Sequence, residues 1–216
     1  MRQVFFDTET TGLEADKGDR IIEIGCVEMV DRQLTGNNLH LYINPERASH
    51  EDALRVHGLT EAFLSDKPKF AEIVDPLLAF LAGAELVIHN APFDIGFVNA
   101  ELRRLKRGVL TDHVGGVRDT LLMARDLFPG KANSLDALCR RLEVDNTKRV
   151  LHGALLAGLP GLTGGHHGHG AAAGHGEGGW LMVGIIALEL TVAVVCAVAL
   201  RRTPLSAAPA GQLSPP

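Results

Sequence analysis

Near the start of the chain, Val4-Phe5-Phe6-Asp7-Thr8-Glu9-Thr10-Thr11-Gly12 sets two carboxylates two residues apart behind an apolar run. On an extended strand that spacing points Asp7 and Glu9 to the same side. Adjacent carboxylates repel unless a cation lies between them, and ligands that are all oxygen suit Mg²⁺ or Mn²⁺. Asp-x-Glu alone equally describes a solvated pair; the apolar strand before it and the Thr-Thr-Gly turn after it make the motif more specific. A second motif, Leu86-Val87-Ile88-His89-Asn90-Ala91-Pro92-Phe93-Asp94, reads as a buried strand, a turn, and an acid in the first turn of a helix. The plain explanation of Asp94 is an acid favoured by the helix dipole. It becomes a third ligand candidate because strand ends and helix starts converge near the first motif in sheets of this kind. A third motif, Arg149-Val150-Leu151-His152-Gly153-Ala154-Leu155-Leu156, offers His152 as a general base near neutral pH.

These side chains need a sheet and helices to bring them together. Residues 3–6 form a short apolar strand leading into an acidic turn, and residues 20–30 (RIIEIGCVEMV) are rich in Ile and Val with partial alternation. Residues 39–43 form a third strand closed by Asn44-Pro45. Three consecutive strands with short connections predict an antiparallel meander. Helical spacing follows in Phe70–Leu81, with Pro76 a local kink or break, then a buried strand at 85–89 and a helix at 93–105 with a basic end. Two more helices are expected at 119–127 and Leu135–Leu142, the latter capped by Asn133-Ser134, and a last helix at 146–156. The expected class is α/β: a mixed sheet with an antiparallel three-strand start, flanked by helices.

Taken together, FFDTETTGL, RIIEIGCVEM, VHGLTEAFL, VIHNAPFDIGF, RDTLLMARDLFPGKANSLDALCRRLEVDN and RVLHGALL resemble the DEDD-type 3′→5′ exonucleases with a catalytic histidine. Within these they are most similar to the proofreading subunits of bacterial replicative DNA polymerases. The resemblance runs in order from residue 4 to residue 156, and it implies an RNase H-like fold and removal of nucleotides from a DNA 3′ end. It further implies two divalent cations, Mg²⁺ or Mn²⁺, with Asp7 bridging them, Glu9 on the first and Asp94 on the second. In such two-metal schemes the ions sit about 3.5–4 Å apart. His152 resembles the base that takes a proton from the attacking water, while His57, and more weakly Asp52, match residues lining the pocket of the terminal nucleotide. A DNA polymerase catalytic subunit is the implied partner.

The pattern departs in one place. The family carries an aspartate five residues after the histidine; here that position is Ala157, and no carboxylate lies between His152 and Glu177. Gly158-Leu159-Pro160 should end the helix there. Hydrolysis is therefore expected to be impaired, with the fold to residue 156 intact.

Composition changes near residue 157, which divides the chain into an exonuclease domain (1–156), a Gly/His-rich linker (157–179), an apolar segment (180–200) and a Pro/Ala-rich end (201–216). Of 21 basic and 26 acidic side chains, two of each lie after residue 156, so the whole net charge of −5 belongs to the front domain. An acidic domain binds nucleic acid poorly unless metals or a partner offset its charge. His166, His167, His169 and His175 form a glycine-rich tract that can bind Zn²⁺ or serve as a flexible linker. Residues 180–200 are long enough to cross a bilayer, though Glu189 lies mid-segment and Arg201-Arg202 would put the nuclease on the wrong side; an evolved membrane role is not favoured. Cys26, Cys139 and Cys196 show no metal spacing and read as buried hydrophobes in a reducing compartment. The N-terminal residues carry no signal-peptide apolar core, so a cytoplasmic location is expected.

Three alternatives stay open beside the DNA exonuclease: a small-RNA or oligonucleotide exonuclease of the same superfamily, a non-catalytic nucleic-acid- or polymerase-binding homologue, and a membrane-anchored protein.

Overall fold

The computed structural model describes residues 1–144. The expected last helix, His152, Ala157, the histidine tract and the apolar segment lie outside those residues. The chain opens with β1 (Arg2–Thr10), β2 (Ile21–Val30) and β3 (Gln33–Tyr42). Short helices α1 (Glu51–His57) and α2 (Glu61–Leu64) lead to α3 (Phe70–Leu81), β4 (Glu85–Ile88) and α4 (Ala91–Arg104). β5 (Gly116–Asp119), α5 (Thr120–Leu127) and α6 (Leu135–Leu142) complete the described part.

The five strands form one mixed sheet in the order β3-β2-β1-β4-β5. β1, β2 and β3 are antiparallel, and β4 and β5 run parallel to β1. The expected three-strand start is present, with two differences. β1 continues past residue 6 to Thr10, so the strand carries Asp7 and Glu9, as their spacing requires, and the turn follows them. β3 begins at Gln33, earlier than residue 39, because Asp31 and Arg32 both take positive φ (48° and 68°) and close a two-residue hairpin. Such turns match the twist of paired strands. The extra residues, QLTGNN, are exposed but for half-buried Asn38, lie on the edge of the sheet and carry little apolar signal.

Alternation on β1 sorts its two faces. Val4 and Phe6 join the main core with Ile24 and Cys26 of β2, the buried stripe of α3, and Phe97, Val98 and Leu102 of α4. Phe5 points the other way, into a smaller cluster with Val27, Met29 and Val87. α3 runs unbroken through Pro76. A helical proline costs about 3 kcal/mol, while each of the buried Phe70, Ile73, Val74, Leu77, Leu78 and Leu81 contributes about 1.5–3 kcal/mol on burial, so packing outweighs the break. α4 is tied to the start of β2 by a buried ion pair: Arg20 donates through Nε and an Nη to the two Glu101 oxygens at 2.6 and 3.0 Å. Glu101 is 2% exposed, and the two-pronged geometry is what makes such a buried pair tolerable. Cys26 and Cys139 are buried, and burial pushes the Cys26 thiol far up.

Candidate active site

Asp7 and Glu9 lie on the Phe5 side of β1, following the period of the strand. Asp7 is exposed and Glu9 half-buried. Because Phe5 pairs with Val87 in the parallel β1–β4 ladder, Asp7 stands level with His89, at the carboxyl end of β4. That end of an open sheet is where ligands characteristically bind.

Asp94 reaches this place from α4. β4 stops at Ile88, Asn90 turns the chain with φ of 71°, and Asp94 falls in the first turn of the helix. Asparagine is one of the few side chains that adopts this conformation readily. Asp94 is 3% exposed. The Thr8 hydroxyl donates to its Oδ1 at 2.7 Å. Burial, and next the negative charge of Asp7, push the Asp94 carboxyl up to about 8 against the pull of the Thr8 bond. Two acids so placed hold a proton between pH 4 and 8, or a cation in its stead.

Asp119, whose place in the sequence marks only a helix start, fixes the turn that carries Asp94. Its Oδ2 accepts from the Ala91 N–H at 3.2 Å, and its Oδ1 accepts from Asn90 at 3.3 Å and Leu121 at 2.8 Å. One carboxylate therefore caps α5 and anchors the entry to α4. Aspartate immediately before an apolar helix was a visible capping signal; its second duty across 28 residues was not.

The loop after β1 is held by Asp19, also missed. Asp19 is 4% exposed. It accepts from the Glu14 N–H at 3.0 Å and the Thr11 hydroxyl at 3.1 Å, and pairs with His50 at 3.1 Å and Arg47 at 3.2 Å. Burial raises its carboxyl, but these donors and charges together hold it below the usual range. Gly12 lies against this cluster so closely that a Cβ would sit 2.3 Å from Asp19 Oδ2 and from His50 Cδ2.

His57, at the end of α1, is 6% exposed. Its Nδ1 accepts from the Leu59 N–H at 2.9 Å, which puts the proton on Nε2, and Nε2 has no partner among the described residues. Burial lowers its pKa, opposed by the charge of Glu23, so the ring is neutral near pH 7. Asp52 is exposed and paired with Arg55. Glu9 faces Glu23 across the β1–β2 ladder, and Glu23 pairs with His40 at 2.6 Å.

Of the sequence-predicted set, Asp7 and Asp94 are brought together, and Glu9 shares the Asp7 face of β1. Among the described residues, no three acids, histidines or cysteines are gathered into a ready-made metal cluster. Also among the described residues, no helix is long and apolar enough to cross a membrane.

A mixed five-strand sheet of this order, flanked by helices, is the RNase H-like fold of exonucleases. The exonuclease family model RNase T matches residues 4–156, and the chain belongs to that family. DNA polymerase III subunit epsilon of Pasteurella multocida is 54% identical over 159 residues, covering 72% of this chain and 63% of that protein. The same subunit of Haemophilus influenzae is 54% identical over 159 residues, covering 72% of this chain and 62% of its own length. This chain thus spans less than two thirds of those relatives. Among solved structures, Exonuclease X in complex with 5′ overhanging duplex DNA matches with a TM-score of 0.54 and 25% identity, over 89% of this chain and 90% of that one. The nuclease domain of 3′hExo, a DEDDh family member bound to rAMP, shares the fold at a TM-score of 0.56 and 14% identity, over 73% of this chain and 92% of its own. The exonuclease family generally uses divalent metal ions.

Proposed function

We propose that this chain is a 3′→5′ exonuclease that removes nucleotides from DNA 3′ ends, as the proofreading subunit of a replicative DNA polymerase in the cytoplasm. One observation carries the reading: the buried Asp94 carboxyl lies beside Asp7 at the end of the central strands, where ionisation of both needs a cation. Family membership and the epsilon-subunit relatives support it.

The donor set fits hard cations, being carboxylate oxygen alone. Asp7, Glu9 and Asp94 would hold two divalent ions, Mg²⁺ or Mn²⁺, with Asp7 shared. When bound, the ions supply positive charge to the attacking and leaving oxygens of the phosphodiester. Thr8 holds Asp94 in place for that task, and Asp119 holds the turn behind it. His152 would take the proton from the attacking water. His57 would donate its Nε2–H, which has no partner among the described residues, to the terminal nucleotide. Asp52 would line the same pocket once its pair with Arg55 opens.

Ala157 stands where the resemblance calls for a fourth acid, so turnover should be weak. Metal and DNA binding without turnover is the second reading, and it rests on that one residue. Single-stranded DNA hydrolysis in Mg²⁺, compared between the chain as it stands and Ala157→Asp, tests both. A gain of about tenfold or more, equal to about 1.4 kcal/mol of barrier or more, is the expected result. No DNA hydrolysis by either protein, in Mg²⁺ or Mn²⁺, would refute the exonuclease reading.

A further inference from the structure

A cavity of about 570 Å³ opens beside the candidate site, lined by Asn90, Arg125, Lys131, Asn133, Ser134 and Asp136 among others. Its place in the sheet is informative. Asn90 is the turn residue four positions before Asp94, and its neighbour His89, also in the wall, stands level with Asp7 across the β1–β4 ladder. The cavity therefore lies at the carboxyl end of β4, on the turn that leads to Asp94.

Its charge is positive on balance. Arg2, Arg20, Arg47, Arg103, Arg107 and Arg118 are each bonded to an acid. Arg125 and Lys131 form no ion pair among the described residues, and both are exposed. One acid, Asp136, shares the wall with them. The wall itself is built. Asn133 is buried, and its Oδ1 accepts from Arg141 at 3.1 Å. Ser134 caps α6 by accepting from the Ala137 N–H, which leaves the first N–H groups of that helix facing outward. A guanidinium suits paired phosphate oxygens, and an ammonium supplies a movable point charge.

We propose that Arg125 and Lys131 form a subsite for the backbone phosphates of a nucleic-acid strand whose 3′ end lies at Asp7 and Asp94. The proposal rests on the exonuclease reading and deepens it: the domain is acidic overall, and this cavity supplies local attraction for a polyanion near Asp7 and Asp94.

The test is binding of a labelled single-stranded DNA oligonucleotide to the full chain, across a range of salt concentrations, with Ca²⁺ replacing Mg²⁺. Arg125→Gln and Lys131→Gln should each weaken binding and flatten the slope of log K against log salt by about 0.7, the value for one phosphate contact on a single strand. Lys106→Gln, which removes a cation away from the cavity, should leave the slope as it is. Slopes equal to wild type in both cavity variants would overturn the proposal, as would an equal loss in Lys106→Gln. Inorganic phosphate at constant ionic strength should compete weakly; full competition would mark a free-anion site and would also overturn it. Hydrolysis of the p-nitrophenyl ester of thymidine 5′-monophosphate, compared with Asp7→Asn, judges the nuclease reading separately. No such activity even after Ala157→Asp, or equal activity with and without Asp7→Asn, with the slopes behaving as expected, would sink the nuclease and leave the subsite standing.

Discussion

The Thr8 hydroxyl donates to Asp94 Oδ1 at 2.7 Å, joining β1 to the first turn of α4 across 86 residues. Thr8 lies between Asp7 and Glu9, so the strand that carries two of the acids also orients the third.

Replacing this donor tests the linkage. Thr8→Val keeps the shape and removes the hydroxyl. Stability should fall by about 1–3 kcal/mol, because a buried carboxyl loses its partner. Urea unfolding in EDTA measures the loss, and Mn²⁺ titration should show weaker binding by the same variant.

The pH dependence of the metal-free protein follows from Asp94. Its folded pKa is raised, to about 8 from 3.8. The folded state therefore holds a proton that the unfolded state has released between those values. Stability due to this group is full below pH 4 and is lost as pH rises through 8, at up to about 1.4 kcal/mol per pH unit. Thermal melts in EDTA should show Asp94→Asn gaining on wild type from pH 5 to pH 8. A constant difference across that range would contradict this origin.

Asp119 accepts N–H groups from two helix starts. Asp119→Ala should cost about 2 kcal/mol, the upper end for loss of a cap. Because the displaced turn carries Asp94, metal affinity should fall as well, which a cap serving α5 alone would not cause. Urea unfolding paired with Mn²⁺ titration separates the two.

Gly12 has no room for a methyl group beside Asp19 and His50. Gly12→Ala should destabilise by about 1–3 kcal/mol, the cost of overpacking, measured as a lower urea midpoint. Asp19→Asn, which loosens the same cluster, should make that substitution less costly.

Much of this arrangement was legible in the sequence, because it is local. The spacing of Asp7 and Glu9 on a strand, the run 86–88 leading to a turn, and the apolar stripe of α3 each follow from the period of one element. Asn133-Ser134 before α6 did as well: Ser134 is the cap. What escaped depends on partners far away. The first half of β3 is polar and exposed, and only its pairing with β2 makes it a strand. β5 is four residues, GVRD, that extend because β4 offers them a ladder. α1 is seven residues with His57 its one buried side chain, too short and too polar for a periodic signal. At the site, residue type and spacing marked Asp7, Glu9 and Asp94. The supports, Thr8, Asp119 and Asp19, were hidden because a threonine or a loop aspartate gains its meaning from a contact that no local pattern encodes.

The central claim is that Asp7 and Asp94 share a divalent cation, and calorimetric titration of Mn²⁺ at pH 7 in two buffers of different ionisation enthalpy tests it most directly. The account predicts binding by wild type with release of a proton from Asp94, and loss of both the binding and the proton release in Asp7→Asn and Asp94→Asn. Equal Mn²⁺ affinity in wild type and both variants would contradict it.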